Sequence, residues 1–135
     1  MSDKERELSE DAAWEISLKY HPEWRRATKR GKLPEEIVTE SGETFKPRVH
    51  LMMHAIVERQ LAVDRPPGVV AIAQQLEQLG LSQHDIRHEI GRAISEQMWF
   101  VLQQKRVFDE AQYLTQLQAI VAGHRRARLR NPPAP

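Results

Sequence analysis

The stretch HLMMHAIVERQ, residues 50–60, sets His50, His54 and Glu58 four residues apart. A helix turns about 100° per residue, so positions i and i+4 lie about 40° apart on one face. A similar pattern returns in HDIRHEIGRAISEQ, residues 84–97, through His84 and His88 and, later, Glu96. Two imidazoles one turn apart can chelate a single ion with little backbone strain. Neutral imidazole suits zinc, iron, copper and nickel. Two such pairs with a carboxylate would make a nitrogen- and oxygen-rich metal site without sulfur. Bundle cores often hold such sites, with ligands from several helices. The spacing therefore nominates His50, His54, Glu58, His84 and His88 as ligands of a transition metal ion, with iron and zinc both open. His84 stands near its helix start, so it could be a ligand, a base beside the ion, or a solvent-exposed residue. Glu96 falls about 80° from His88 on the helical wheel and ranks behind Glu58. The competing account is plainer: histidines on half-buried helix faces that hydrogen-bond to carboxylates or backbone.

The elements that must carry these residues are helices. Ser9 can cap a first helix over residues 9–20, with Ala12, Ala13, Ile16 and Tyr20 as its apolar stripe. Pro22 breaks the chain after His21, and PEWRRATKRG forms a short helix ending at Gly31. Residues 32–46 carry Pro34 and Gly42 without a sustained period and read mostly as loop. Pro47 suits the first position of a helix running to about residue 64, where DRPPG interrupts. A further helix through VVAIAQQLEQL stops at Gly80. Ser82 and Asp85 signal the start of the next helix, which runs to about Lys105. Asp109 opens the last one, with Tyr113, Leu114, Leu117, Ile120 and Val121 on its stripe. No strand pattern stands out. The expected class is all-α: one antiparallel bundle of about four to six helices over residues 1–122, with a flexible basic, proline-rich tail over 123–135.

Within that frame Val57 and Leu61 share the side of His50 and His54, so this face looks inward, with Glu58 at its rim. His84 and His88 share a face with Gly91, Ser95 and Leu102. The small Gly91 and Ser95 leave room for close helix approach or a ligand. Ile86, Ile90, Ile94 and Val101 form the adjacent apolar wall. Trp14, Trp24 and Trp99 read as core or rim anchors, and Met52, Met53 and Met98 as packing residues.

Composition narrows the chemistry. The chain has 135 residues, 40% hydrophobic and 29% charged, enough for one core. Its formal net charge of +1 supplies no global field toward nucleic acid or membrane. The absence of cysteine removes disulfides, thiolate ligands and cysteine nucleophiles. The polar, acidic start and the short apolar run GVVAIA point to a soluble, cytoplasmic protein without a membrane span. Nucleophile-elbow, dinucleotide-binding and phosphate-loop signatures are missing, and H-E-x-x-H fails because position 92 is Arg.

The run KPRVHLMMHAIVERQLAVDRPPGV resembles an uncharacterised bacterial family of small helical proteins, known as domain of unknown function eighteen forty-one. The resemblance rests on Pro47, His50, His54, Val57, Glu58, Gln60, Pro66 and Pro67. His84, His88 and Glu96 in LGLSQHDIRHEIGRAISEQMW, Asp109 and Tyr113 in FDEAQYLTQL, and the upstream HPEW block from His21 to Trp24 extend it over about residues 18–118. Lys46 departs from it, where the family usually has asparagine. The resemblance implies that His50, His54, Glu58, His84 and His88 belong to a common pattern, and it supplies no reaction.

Three functions compete. The first is a metal-binding helical protein or small metalloenzyme. An open coordination position beside Gly91 and Ser95 would allow catalysis on a small-molecule substrate, and a closed shell would make the ion structural. In an enzyme the ion would activate water or dioxygen, and whichever of Glu58 and His84 stays off the metal would move protons. The second is an interaction module using WRRATKRGK (24–32) and HRRARLR (124–130) to bind RNA or an acidic protein. Basic clusters at helix ends are usually solvated, and no nucleic-acid motif accompanies these. The third is a pH-responsive or purely structural histidine bundle. A homo-oligomer is compatible with all three.

Overall fold

The computed structural model describes residues 7–132. Six helices occur among them: α1 (Glu10–Tyr20), α2 (Pro22–Lys29), α3 (Pro47–Val63), α4 (Val69–Gln78), α5 (Gln83–Gln104) and α6 (Glu110–Arg130). The class is all-α. The one addition is a small antiparallel hairpin, β1 (Ile37–Val38) with β2 (Thr44–Phe45), which pairs Ile37 with Phe45 and Val38 with Thr44. It falls in the segment read from sequence as loop. Two-residue strands are too short to show an alternating pattern. The turn between them closes through Gly42, whose φ of 85° suits glycine, and Gly42 N–H donates to the Thr39 carbonyl at 2.9 Å.

Helix starts follow the caps read from the sequence. Ser9 Oγ accepts from Ala12 N–H at 3.1 Å, Ser82 Oγ from Asp85 N–H at 3.1 Å, and Asp109 from Gln112 N–H at 3.0 Å. Each satisfies a backbone donor that the first helical turn leaves open. α6 continues past the expected tail boundary to Arg130, so HRRARLR is helical rather than frayed. Arg128 donates to the Gln78 carbonyl at 2.8 Å and Arg125 to Gln75 Oε1 at 3.3 Å, which ties this stretch to the end of α4. The final three prolines and alanine fall largely outside the described residues.

The chain divides into two compact units, Met1–Val63 and Asp64–Pro135. In the first, α1 packs along α3. Its buried apolar side chains are Ala13, Leu18, Leu51 and Val57. The α1 stripe is rotated from the expected one: Ala13, Ser17 and Leu18 are buried, whereas Ala12, Ile16 and Tyr20 are half-buried. Ser17 is admitted because its hydroxyl donates to the Trp14 carbonyl at 2.6 Å. In the second unit, α4, α5 and α6 share a core of Val69, Ile72, Leu76, Ile86, Ile90, Ala93, Ile94, Tyr113, Leu117 and Val121. Buried Gln97 is satisfied by Gln116 at 3.1 Å.

Two residues expected to pack, Met52 and Met98, are exposed, and Trp99 is 53% exposed, a rim rather than a core position. Met52 lies with Val49 and Ile56 on the side of α3 away from its histidines, because i, i+3 and i+7 form a separate stripe. Among the described residues no helix is long and apolar enough to cross a membrane.

Asp64 organises the start of the second unit. It takes a left-handed backbone conformation (φ 53°), and its carboxylate accepts from Gly68 N–H at 3.1 Å and Val70 N–H at 3.0 Å. Gly68, the residue before α4, has no side chain to cap the helix, so Asp64 supplies the acceptor. Asp64→Ala is expected to lower unfolding stability by about 1–2 kcal/mol. Asp64→Asn keeps an acceptor and tolerates the left-handed conformation, so it should cost less. Urea unfolding curves of the three proteins check both, and equal midpoints for Ala and Asn would refute the capping role.

Candidate metal centre

The first unit gathers three imidazoles at one point. His50 and His54 sit one turn apart on α3, and His21 joins them from the α1–α2 junction. Their Nε2 atoms form a triangle: His21 to His50 2.9 Å, His21 to His54 3.1 Å, His50 to His54 3.1 Å. His54 and His21 are buried and His50 half-buried. The ring planes stand at 63° to 80° to one another, so the rings radiate from the triangle rather than stack across it.

His21 reaches this point because the helix must stop there. A residue before proline is pushed out of the helical region, and His21 has φ −133° and ψ 68°. Its N–H still bonds the Leu18 carbonyl at 3.3 Å, and its carbonyl accepts from Trp24 N–H at 3.0 Å. It therefore closes α1 and opens α2 in a single residue. Helical spacing does not reveal such a residue. The available signal was the HPEW block itself, a histidine at a proline break followed by an acid and an aromatic.

An aromatic side chain lies against each imidazole. Tyr20 stacks on His54 with centroids 5.5 Å apart and planes 8° apart. Trp24 stacks on His21 at 4.4 Å and 15°. Phe45 leans on His50 at 5.1 Å. The small hairpin thus has a local purpose, since β2 carries Phe45 to the site. These rings restrict the imidazole planes and keep water from their flanks.

The triangle has a definite chemical meaning. An imidazole Nε2 carries either one hydrogen or one lone pair, directed along one line in the ring plane. Three such atoms facing one another cannot each complete a well-aligned bond along every edge. A cation accepts all three lone pairs together. His21, His50 and His54 would be the residues to hold such an ion, and neutral imidazole nitrogens are ordinary zinc ligands.

The remaining expected residues are placed as follows. Glu58 is buried rather than at a rim, one turn beyond His54 on α3. It is not a corner of the triangle. In the second unit His84 and His88 lie side by side on α5, rings 4.1 Å apart and tilted by 56°, both half-buried. His84 is thus not the fully exposed residue that its position near the helix start allowed. Gly91 is buried, whereas Ser95 and Leu102 are exposed, so that face turns outward beyond Gly91. Glu96 is exposed as well. The sixth histidine, His124, bonds Glu89 at 3.0 Å, and Glu89 also pairs with Arg92 at 3.0 Å.

A family model described as domain of unknown function (DUF1841) matches residues 3–119. The chain belongs to this family. The matched span of this DUF1841 protein includes His21, His50, His54, Glu58, His84 and His88, and it ends before His124. No curated protein and no solved structure matches the chain.

Proposed function

We propose that this DUF1841 protein binds a transition metal ion through the Nε2 atoms of His21, His50 and His54. The observation that carries this reading is the triangle of nitrogens with edges of 2.9–3.1 Å. Three neutral nitrogens suit zinc or iron(II), and the chain has no thiolate to bias the choice. They bring no charge, so buried Glu58 is assigned as the counter-charge along the same helix stripe. Zinc held this way would polarise water, and iron(II) would engage dioxygen, so the ion's identity selects the class of reaction. His84 and His88 form a second pair at the same spacing within the second unit.

The basic-module reading draws less support. Arg125 and Arg128 spend their guanidinium groups on the end of α4, and Arg25 faces Glu15 at 3.9 Å. Those positive charges have internal work to do.

The test is elemental analysis of untagged protein purified without chelators or a nickel column, beside His54→Ala and His88→Ala. The wild type should carry one zinc or iron per chain, and His54→Ala should lose it with helicity unchanged. His88→Ala lies outside the triangle and should keep the ion. A wild type that holds no metal and takes up none from excess zinc or iron(II) would end the proposal.

A further inference from the structure

His21 differs from its two partners in one respect. Its other ring nitrogen, Nδ1, lies 3.0 Å from Oε1 of Glu23. His21 is buried, and its Glu23 partner is half exposed, with 56% of its side chain accessible. An ionised carboxylate is an acceptor only, so a hydrogen bond at this distance requires the proton to sit on Nδ1. A neutral imidazole with its proton on Nδ1 has a bare lone pair on Nε2, the atom that forms a corner of the triangle. Trp24, stacked on the same ring, fixes its plane. The tautomer and the orientation are therefore both set by side chains of one short helix, α2.

We infer that Glu23 is a positioning residue for the metal centre: it holds His21 in the Nδ1–H tautomer and so presents Nε2 as a ready-made ligand. The inference rests on the three-imidazole reading for its functional meaning, while the tautomer itself does not. A carboxylate behind a ligating histidine also makes the imidazole a stronger donor, and removing such a partner typically weakens metal affinity about 10–100-fold. The local sequence is suited to this. Pro22 forces His21 out of the helix, and Glu23 follows in the first turn, where a negative charge is also favoured by the helix dipole.

The experiment has two readouts on the full chain. The first is the His21 tautomer in metal-free protein, read from ring ¹⁵N chemical shifts. The second is Zn²⁺ affinity by competition with a chromophoric chelator. The proteins are wild type, Glu23→Ala and Glu23→Gln. Wild type should show the Nδ1–H tautomer. Glu23→Ala should lose that preference and bind Zn²⁺ about 10–100-fold more weakly, with helicity retained. Glu23→Gln offers a carbonyl acceptor at the same reach and should recover the tautomer and part of the affinity. If Glu23→Ala keeps both tautomer and affinity, or loses only helicity, Glu23 is no more than a helix-start residue and the inference falls. If wild type binds no Zn²⁺, the metal reading fails, and the tautomer measurement still decides whether Glu23 sets the His21 ring.

Discussion

His21→Ala is expected to weaken Zn²⁺ or iron(II) binding by more than about 100-fold, a loss larger than removing a partner behind a ligand produces. His50 and His54 alone can chelate an ion, but with two nitrogens from a single helix. The third nitrogen comes from a different element, 29 residues upstream of His50, and converts a two-point contact into a three-point one. Deleting its ring also removes the surface on which Trp24 stacks, so a control for folding is needed. His21→Asn preserves a polar side chain of similar size at the helix break and should bind as poorly as alanine. Chelator competition supplies the affinities, and circular dichroism supplies the helix content. Wild-type affinity in either folded variant would show that the ion, if one binds, does not use this corner of the triangle.

Acidification should release the ion steeply. An imidazole ligates only through an unprotonated nitrogen, so below the range where the imidazoles take up protons each ligand must shed one as the ion binds. With three imidazoles the logarithm of the affinity should rise by up to three for each pH unit on the acid side and level off once all are neutral. The sign is fixed: affinity is present above that range and is lost as pH falls through it. Zn²⁺ titrations at several pH values should approach a slope of three in wild type. A slope near one or below, with the change centred in the carboxylate range, would place the ion on acidic groups and contradict the histidine centre.

Much of this molecule could be read from its one-dimensional pattern. Ser9, Ser82 and Asp109 announced helix starts that the structure keeps, because a cap is made within three residues of chain. Pro47 and DRPPG bounded α3 for the same local reason. His50 and His54 were legible because helical spacing alone brings them to one face. The α1 stripe was shifted, and Met52 and Met98 were misplaced, because apolar residues surround these helices and periodicity does not say which face finds a neighbour.

What only the tertiary structure decided is the composition of the centre. His21 and Phe45 enter from a helix break and a two-residue strand, features with no period to detect. Glu58 was read as a candidate ligand at the rim of the histidine stripe, but its burial depends on what packs over α3. The carboxylate behind His21 is local in sequence, yet its significance appears only once Nε2 of the same ring is seen 2.9 and 3.1 Å from two other imidazoles. Sequence by itself determined an all-α chain with paired histidines and no sulfur, since caps, breaks and i, i+4 spacing act over a few residues. The convergence of three nitrogens required α1 to pack along α3, a contact between segments about thirty residues apart that no local rule encodes.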